Sequence, residues 1–354
     1  MKIINRYISY TILGSTFVVL MVLIAIFSFF SYLEQLKATG QGNYDAIRAL
    51  YYVFLTLPTM TYQLMPMASL IGVSVGLGLL SSSSELVAIR SAGVSVSSIV
   101  LVVLKTGLFV MIISIVLGEF VSPKTEQYAQ MVKSVAISKQ LSLEGDQGLW
   151  ARDGDNIINI QKVLGSGHLG DIYIYHLGKQ LQVDVMQFAK SADYQSDEWR
   201  LREVKTTVFN EDRIHSEFQH EARWKTSISP DLLQTVSFKT NTQSTFDLYN
   251  YIKYLEANDV SADTYKQAFW NKIAVPLVTG VMVLLAIPFV FGPLRSVGIG
   301  QRILVAVLVG VGFHILNLTF NHVGIVYQFN PALSALLPTA LAFLVSLYLL
   351  RRVQ

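Results

Sequence analysis

Residues 303–350 read ILVAVLVGVGFHILNLTFNHVGIVYQFNPALSALLPTALAFLVSLYLL and contain no Lys, Arg, Asp or Glu. A helix of about 20 apolar residues crosses the hydrocarbon core of a bilayer, so this stretch is long enough for two crossings. The chain must therefore fold back inside it, and the more polar segment Phe320–Pro331 supplies the predicted turn. The sequence predicts two transmembrane helices in this stretch.

A scarcity of charge marks the other membrane-crossing segments as well. Each of four more stretches has at most one charged residue in its interior: Tyr7–Leu33, Ala49–Ser84, Arg90–Glu119 (with Lys105 alone) and Ile273–Leu294. The first is too long for a signal peptide and lacks a small-residue cleavage site. Six transmembrane helices are therefore predicted, at about 8–31, 52–80, 97–120, 271–291, 302–319 and 332–350.

The composition fits a membrane protein. Of the 354 residues, 52% are hydrophobic and only 14% are charged, whereas soluble domains have about 25% charged residues. Cysteine is absent, so neither disulfides nor thiolate chemistry can contribute. The segment Ser122–Trp270 has 16 basic and 20 acidic residues, so the basic excess of the chain lies beside the membrane. Nucleic acid is therefore not the partner that this charge indicates.

The distribution of Lys and Arg in the short loops predicts the orientation. One side of the membrane has a clear excess: Lys2, Arg6, Arg90, Arg295, Arg302, Arg351 and Arg352. The short loops of the other side have only Lys37 and Arg48. Both termini are therefore predicted to be cytoplasmic and the long segment periplasmic. This gives three parts: residues 1–121 with helices 1–3, residues 122–268 outside, and residues 269–354 with helices 4–6.

The outer segment changes from apolar runs to short β-branched and aromatic stretches. The predicted strands are at 147–160, 171–177, 181–189, 199–209 and 216–224. Strands without intervening helices favour a sandwich, a jellyroll or an open barrel. Near the end of the segment, Ser244 and Asp247 fit the start of a capped helical connector. The predicted fold class is a helical membrane protein, 3+3, with an inserted periplasmic all-β jellyroll-like domain.

Several kinds of chemistry are not indicated. There is no GxxxxGK[ST] motif, and GSGHLGD (165–171) has neither its Lys nor a following helix. His215 and His220 are five residues apart and would point to opposite faces of a strand, so no metal site is predicted. The spans contain no Asp or Glu at depth, which disfavours an ion-coupled transporter. No catalytic residues are predicted, and energy for transport would have to come from a partner.

Two features could serve a transport function, and each has an ordinary alternative. SELVAIRSAG (84–93) predicts a short helix, capped by Ser84 and ended at Gly93, that presents Leu86 and Ile89 beside Glu85 and Arg90. This loop could dock a partner or could be a plain turn between spans. Aromatic residues near the outer ends of the first spans, followed by lysines, suit an amphiphile with acyl chains and phosphates. They also suit ordinary contact with bulk lipid.

The chain resembles the LptF/LptG permeases of the lipopolysaccharide export ABC transporter, and within that family it is more similar to the LptG branch. The resemblance covers nearly the whole chain. It rests on five strings in order: EQLKATGQGNYDA (34–46), SELVAIRSAG (84–93), QGLWARDGDNIINI (147–160), YNYIKYL (249–255) and FGPLRSVGIGQR (291–302).

The resemblance implies a subunit of a larger machine in the inner membrane of Gram-negative bacteria. The implied partners are an LptF-like paralogous permease, two copies of the cytoplasmic ATPase LptB, which binds ATP and Mg²⁺, and the single-span subunit LptC. Lipopolysaccharide is the implied substrate, extracted from the outer leaflet toward a periplasmic bridge. The chain itself is then no enzyme and carries no cofactor.

The resemblance also implies roles for particular residues. The coupling helix that docks on the ATPase corresponds to Ser84, Glu85, Leu86, Ala88, Ile89 and Arg90. Contacts with lipopolysaccharide phosphates are expected at Lys37 and Lys133, which match basic positions of the family, and at Lys124, which is added because it also follows span three. Separately from the resemblance, the cost of moving acyl chains into water predicts an apolar cavity wall on spans one, two and five, at Phe27, Phe30, Phe54, Leu57, Phe313 and Leu316. The alternatives are a non-transporting scaffold with a periplasmic partner, a membrane-bound enzyme, and an exporter of another lipid or lipoprotein.

Overall fold

The computed structural model of the chain describes residues 2–138, 148–165, 167–178, 182–195, 198–209, 214–226, 228, 230, 243–291, 298–327 and 329–352. These residues form two compact units. The first contains residues 1–35, 53–126 and 263–354, and the second contains residues 36–52 and 127–262. The first unit is helical, and the second contains a β-sheet.

The helices agree with the six predicted spans. Their bounds are α1 Lys2–Leu36, α2 Ala46–Ser82, α3 Glu85–Ser91, α4 Val96–Val116, a π-helical turn Leu117–Val121, α5 Ser122–Ser138, α6 Thr245–Ala257, α7 Asp263–Phe291, α8 Ile299–Val326 and α9 Pro331–Arg351. Six helical segments are long and apolar enough to cross a membrane; α4, the π turn and α5 together make the third. The prediction of a helical membrane protein with an inserted β domain is confirmed.

The turn between the last two spans is shorter than predicted. Helix α8 continues to Val326, so most of Phe320–Pro331 is helical rather than loop. Asn321 is accommodated in this helix because Gln267 of α7 donates to its side-chain oxygen, and its own amide donates to the Asn317 carbonyl 2.8 Å away. Asn330 accepts from the Ala332 N–H at 3.0 Å and caps α9. The polar residues here thus make hydrogen bonds that are compatible with the helices, and they do not end α8 where the turn was predicted.

The third span is interrupted by the π turn, which the sequence did not reveal. Such a turn changes the backbone hydrogen-bond pattern and is often found at functional positions. The Lys272 ammonium donates to the Gly118 carbonyl at 3.1 Å, and the Tyr62 hydroxyl donates to the Lys272 carbonyl at 3.0 Å. A Cβ at Gly118 would lie 2.4 Å from the Tyr62 ring. The second, third and fourth spans are therefore joined tightly at this point.

Burial within the first unit is uneven. In the most apolar window of each span, 72% of residues are buried in α2 and 61% in α7, but only 17% in α1 and 11% in α8. The core contains large side chains of the second, third and fourth spans, such as Leu70, Leu77, Ile99 and Met282. Helices α1 and α8 therefore lie at the periphery of this unit.

Small residues hold α1 against α2. Gly72 and Gly76 of α2 have the GxxxG spacing that lets two helix backbones approach closely. A Cβ at Gly72 would lie 2.3 Å from the Thr16 Cα, and one at Gly76 would lie 2.5 Å from the Ser15 hydroxyl. Ser15 donates to the Gly72 carbonyl at 2.8 Å. The contact between α1 and α2 is therefore close, and it depends on the absence of side chains at Gly72 and Gly76.

The second unit contains one antiparallel sheet in the order β1-β2-β3-β4-β5-β6. The strands are β1 Leu149–Asp153, β2 Asn156–Gly165, β3 His168–Leu177, β4 Val183–Gln195, β5 Glu198–Phe209 and β6 Ile214–Trp224. One face carries the core, which includes Ile158, Ile172, Trp199 and Leu201. The Trp199 indole donates to the Ile228 carbonyl at 2.7 Å. The described strands form a meander.

Helix α6 begins as predicted and contacts the first hairpin. The Ser244 hydroxyl accepts from the Asp247 N–H at 3.1 Å and so caps the helix. The Tyr254 hydroxyl donates to the Arg152 carbonyl at 2.8 Å, and Asn258 accepts from the Gly154 N–H at 3.0 Å. Burial, with a contribution from the Asp153 carboxylate, raises the pKa of Tyr254 to about 12. The phenol thus stays a neutral donor at neutral pH.

We expect Gly72→Ala to destabilise the first unit. The added methyl would overlap the α1 backbone, and such overpacking costs about 1–3 kcal/mol. The matched control is Gly14→Ala on α1, where nothing lies within 4 Å of the new Cβ and where alanine favours the helix by up to about 1 kcal/mol. The free energy of unfolding, measured by SDS titration in mixed micelles, should fall for the first variant alone. Equal values for both variants would contradict the close contact.

Candidate functional site

The predicted wall residues lie in the first unit, and most of them are exposed. Phe27 and Phe30 of α1 are 47% and 63% exposed, and Phe54 of α2 is 68% exposed. Leu57 is half-buried, and Leu316 of α8 is 39% exposed. Phe313 packs partly against the core of the unit. The structure therefore leaves the aromatic rings of α1 and α2 free for contact with something outside the chain.

The peripheral spans show apolar stripes that the sequence analysis did not single out. On α8 the exposed residues include Leu304, Leu308, Val311, Ile315 and Leu318, and on α1 they include Val22, Ile26, Phe29 and Leu33. Their alternation of three- and four-residue steps is the pattern of helices that pack side by side. The same spacing was present in the sequence, but it cannot separate lipid contact from helix contact. We call these two stripes the lateral surface.

Two polar side chains of α8, those of His314 and Asn317, are also notable. His314 is exposed, and the Asn317 side-chain oxygen is buried without a hydrogen bond among the residues that the structure describes. Polar side chains in a span usually bond to a neighbouring helix. Their position on the least buried span indicates a neighbour outside the described residues.

The three predicted lysines differ in their surroundings. Lys37 is exposed in the turn after α1, and Lys124 is exposed near the start of α5. Lys133 of α5 is half-buried, with its ammonium 5.3 Å from the centre of the Tyr52 ring. This cation–π contact fixes the direction of the Lys133 side chain. Lys37 therefore offers the more accessible charge of the two in the second unit.

The turn that carries Lys37 packs against the end of α5, the helix of Lys133. The Asn43 N–H donates to the Ala136 carbonyl at 2.7 Å. Gly42 has a φ of +56°, and a Cβ there would lie 2.2 Å from the Ile137 carbonyl oxygen. The fold thus brings together two segments that the sequence places about 90 residues apart. The sequence analysis assigned Lys37 and Lys133 to the same ligand, but it did not predict this contact between their segments.

The predicted short helix at 84–93 is present as α3, but its start and its exposed face differ from expectation. Ser84 has a φ of +61° and makes no side-chain capping hydrogen bond, and only two residues separate α2 from α3. Leu86 is 5% exposed and belongs to the core of the unit, and Ile89 packs partly against that core. The expectation that Leu86 is presented to a partner is therefore wrong, whereas Ile89 is half-buried and keeps part of its side chain accessible. Leu86 anchors the helix instead.

What α3 does present is a mixed face of two apolar residues and one cation. Val87, Ala88 and Arg90 are exposed. Glu85 is half-buried and accepts from the Tyr7 hydroxyl at 2.7 Å, a partner that the sequence analysis missed. The end at Gly93 is as predicted: the Gly93 and Val94 N–H groups donate to the Arg90 and Ile89 carbonyls, which is a Schellman motif. Helix α3 is thus anchored by Leu86 and exposes one cation, Arg90.

The described residues show no arrangement suited to metal chemistry. Among them, no group of three or more His, Asp or Glu side chains could hold an ion. His215 and His220 are both exposed on β6.

Comparison with known proteins is consistent with these features. The family model described as lipopolysaccharide export system permease LptF/LptG matches residues 6–352. The lipopolysaccharide export system permease protein LptG of Escherichia coli K12 is 35% identical over 99% of this chain and 98% of its own length. The protein of the same name from Haemophilus influenzae is 35% identical over 98% of both chains. The chain therefore belongs to the LptF/LptG family of lipopolysaccharide export system permeases.

Proposed function

We propose that this chain is the permease subunit that extracts lipopolysaccharide from the outer leaflet of the inner membrane and passes it to a periplasmic bridge. The observation that carries the proposal is the exposure of the lateral surface and of Phe27, Phe30 and Phe54 on the helical unit. Family membership supports the same role, because the relatives are named as export permeases of this lipid.

The energetics explain why such a surface is needed. Moving an acyl chain from lipid into water costs about 0.8 kcal/mol per methylene, or roughly 10 kcal/mol for a chain of 14 carbons. A lipid with several chains therefore needs an apolar cavity that opens sideways to the membrane. The lateral surface supplies one side of that cavity, and an LptF-like paralogue supplies the other. His314 and Asn317 would meet polar partners in the same neighbour.

The charged groups have separate tasks. Lys37, Lys124 and Lys133 bind phosphates of the substrate through charge-assisted hydrogen bonds. Both termini are cytoplasmic, which puts α3 on the cytoplasmic side and the β domain in the periplasm. Helix α3 docks on one of two copies of an LptB ATPase, which binds ATP and Mg²⁺. LptC joins the assembly as a single-span subunit and extends the path outward.

We expect photo-crosslinking amino acids at Phe30 and Phe54 to capture lipopolysaccharide in the assembled complex. Both rings are exposed on the proposed wall, 63% and 68% respectively. Leu344 of α9 is equally apolar and 61% exposed but lies outside the proposed wall, so it is the matched control. Immunoblotting for the crosslinked lipid should give bands at the first two positions only. Capture of phospholipid alone at all three would argue against the wall.

We expect Lys37→Asp to weaken lipopolysaccharide binding more than Lys37→Ala. Loss of the ammonium removes an attraction worth about fivefold in affinity, and a carboxylate adds repulsion of the phosphate. Lys205→Asp, at an exposed lysine of the sheet, is the control for the change in net charge. Equal dissociation constants for Ala and Asp, measured with a fluorescent lipopolysaccharide, would rule out a phosphate contact.

We expect Arg90→Glu to reduce the ATPase retained by the purified complex about tenfold, because charge reversal at an interface replaces attraction with repulsion. Arg90 is exposed, so the helical fold should persist. Arg351→Glu, an exposed cation at the end of α9, is the control. Normal retention of ATPase in the Arg90 variant would remove α3 from the coupling interface. If even the unmodified chain retains no ATPase, the scaffold alternative gains support.

A further inference from the structure

A cleft lies between α1 and α4, near the N-terminal end of α1, away from the proposed wall residues. Its volume is about 310 Å³. Two cations, Arg6 and Lys105, border it, and Leu13 and Phe109 extend it along the apolar faces of the two helices. All of these residues belong to the first unit. The cleft therefore combines positive charge with an apolar channel.

The two cations have no acidic counterpart in the described part of the chain. The salt bridges found there include neither Arg6 nor Lys105. Lys105 is the one charged residue between Arg90 and Glu119, in a span that is otherwise apolar. An ammonium group in the apolar part of a span is costly unless it is paired or reaches the membrane interface. An anion from outside the chain would offset this cost.

The neighbouring polar groups orient one of the cations and join the two helices at the cleft. The Arg6 guanidinium lies 5.2 Å from the centre of the Tyr10 ring and donates to the Tyr10 hydroxyl at 3.1 Å. Beneath it, Thr106 donates to the Ser9 hydroxyl at 2.9 Å and so joins α4 to α1. Arg6 keeps further N–H donors for a ligand, because a guanidinium has five. The polar end can thus hold a phosphate.

We infer that this cleft binds the headgroup of an anionic glycerophospholipid from the cytoplasmic leaflet. The phosphate lies between Arg6 and Lys105, and an acyl chain runs along Leu13 and Phe109. Basic pockets between spans on the cytoplasmic side are suited to such headgroups. The choice of leaflet rests on the orientation given under the proposed function; the ligand chemistry does not. Helix α1 is otherwise little buried. The lipid would therefore add a second contact between α1 and α4, beside the hydrogen bond from Thr106 to Ser9.

The test uses the purified complex, stripped of lipid and then supplied with phosphatidylglycerol or phosphatidylcholine of identical acyl chains. Native mass spectrometry counts the retained lipid. The unmodified protein should retain phosphatidylglycerol in preference, and Lys105→Gln should weaken its binding about fivefold. Lys105→Arg should restore binding, and Arg351→Gln, which removes an exposed cation elsewhere, should leave it unchanged.

Three results would overturn the inference. These are equal retention of the two lipids, equal losses in the Lys105→Gln and Arg351→Gln variants, and displacement of the lipid by millimolar inorganic phosphate. The last would identify a phosphate site rather than a lipid site. Crosslinking of lipopolysaccharide at Phe30 in the same preparations reports separately on the proposed function. It should persist in Lys105→Gln, so failure of one proposal remains distinguishable from failure of the other.

Discussion

The narrow contact between α1 and α2 governs how the membrane part can work. Gly72 and Gly76 admit the α1 backbone where a methyl group would collide, and the Ser15 hydroxyl bonds across the gap. In a bilayer, apolar area alone gives little attraction between helices, so close packing and hydrogen bonds decide which helices stay together. Helix α1 therefore packs on α2 through a narrow strip of small residues, while many of its large apolar side chains remain exposed. A surface of this kind can accept a lipid or a neighbouring subunit.

The polar groups inside the spans fall into two classes, and the difference separates structural roles from interaction roles. Lys272 with Gly118 and Gln267 with Asn321 are satisfied within the chain and join neighbouring spans. Lys105 has no acidic partner among the described residues, and His314 is exposed on the least buried span. A polar group in hydrocarbon persists only with a partner. These positions are therefore candidates for contacts with lipids or with neighbouring subunits.

The sequence predicted the six spans, the inserted strands and the capped start of α6, because apolar run length, period-two patterns and capping residues are local properties. It misplaced the last turn, since the bond from Gln267 to Asn321 joins residues far apart in the chain. The π turn and the burial of Leu86 were also missed. Both depend on contacts with residues far away in the sequence, which local sequence patterns do not reveal. The lysines were found as residue types, but the packing of the Lys37 turn on α5 required the fold.

Under the proposed function, this chain supplies only one side of a lipid cavity, which a paralogous permease would complete and a partner ATPase would empty. The most direct measurement compares lipopolysaccharide retained in gel filtration by the chain alone and by the chain paired with its paralogue. We expect stable retention by the pair, weak retention by the single chain, and release from the pair on addition of the ATPase with ATP. Equal retention by the single chain, or release without nucleotide hydrolysis, would contradict the proposed function.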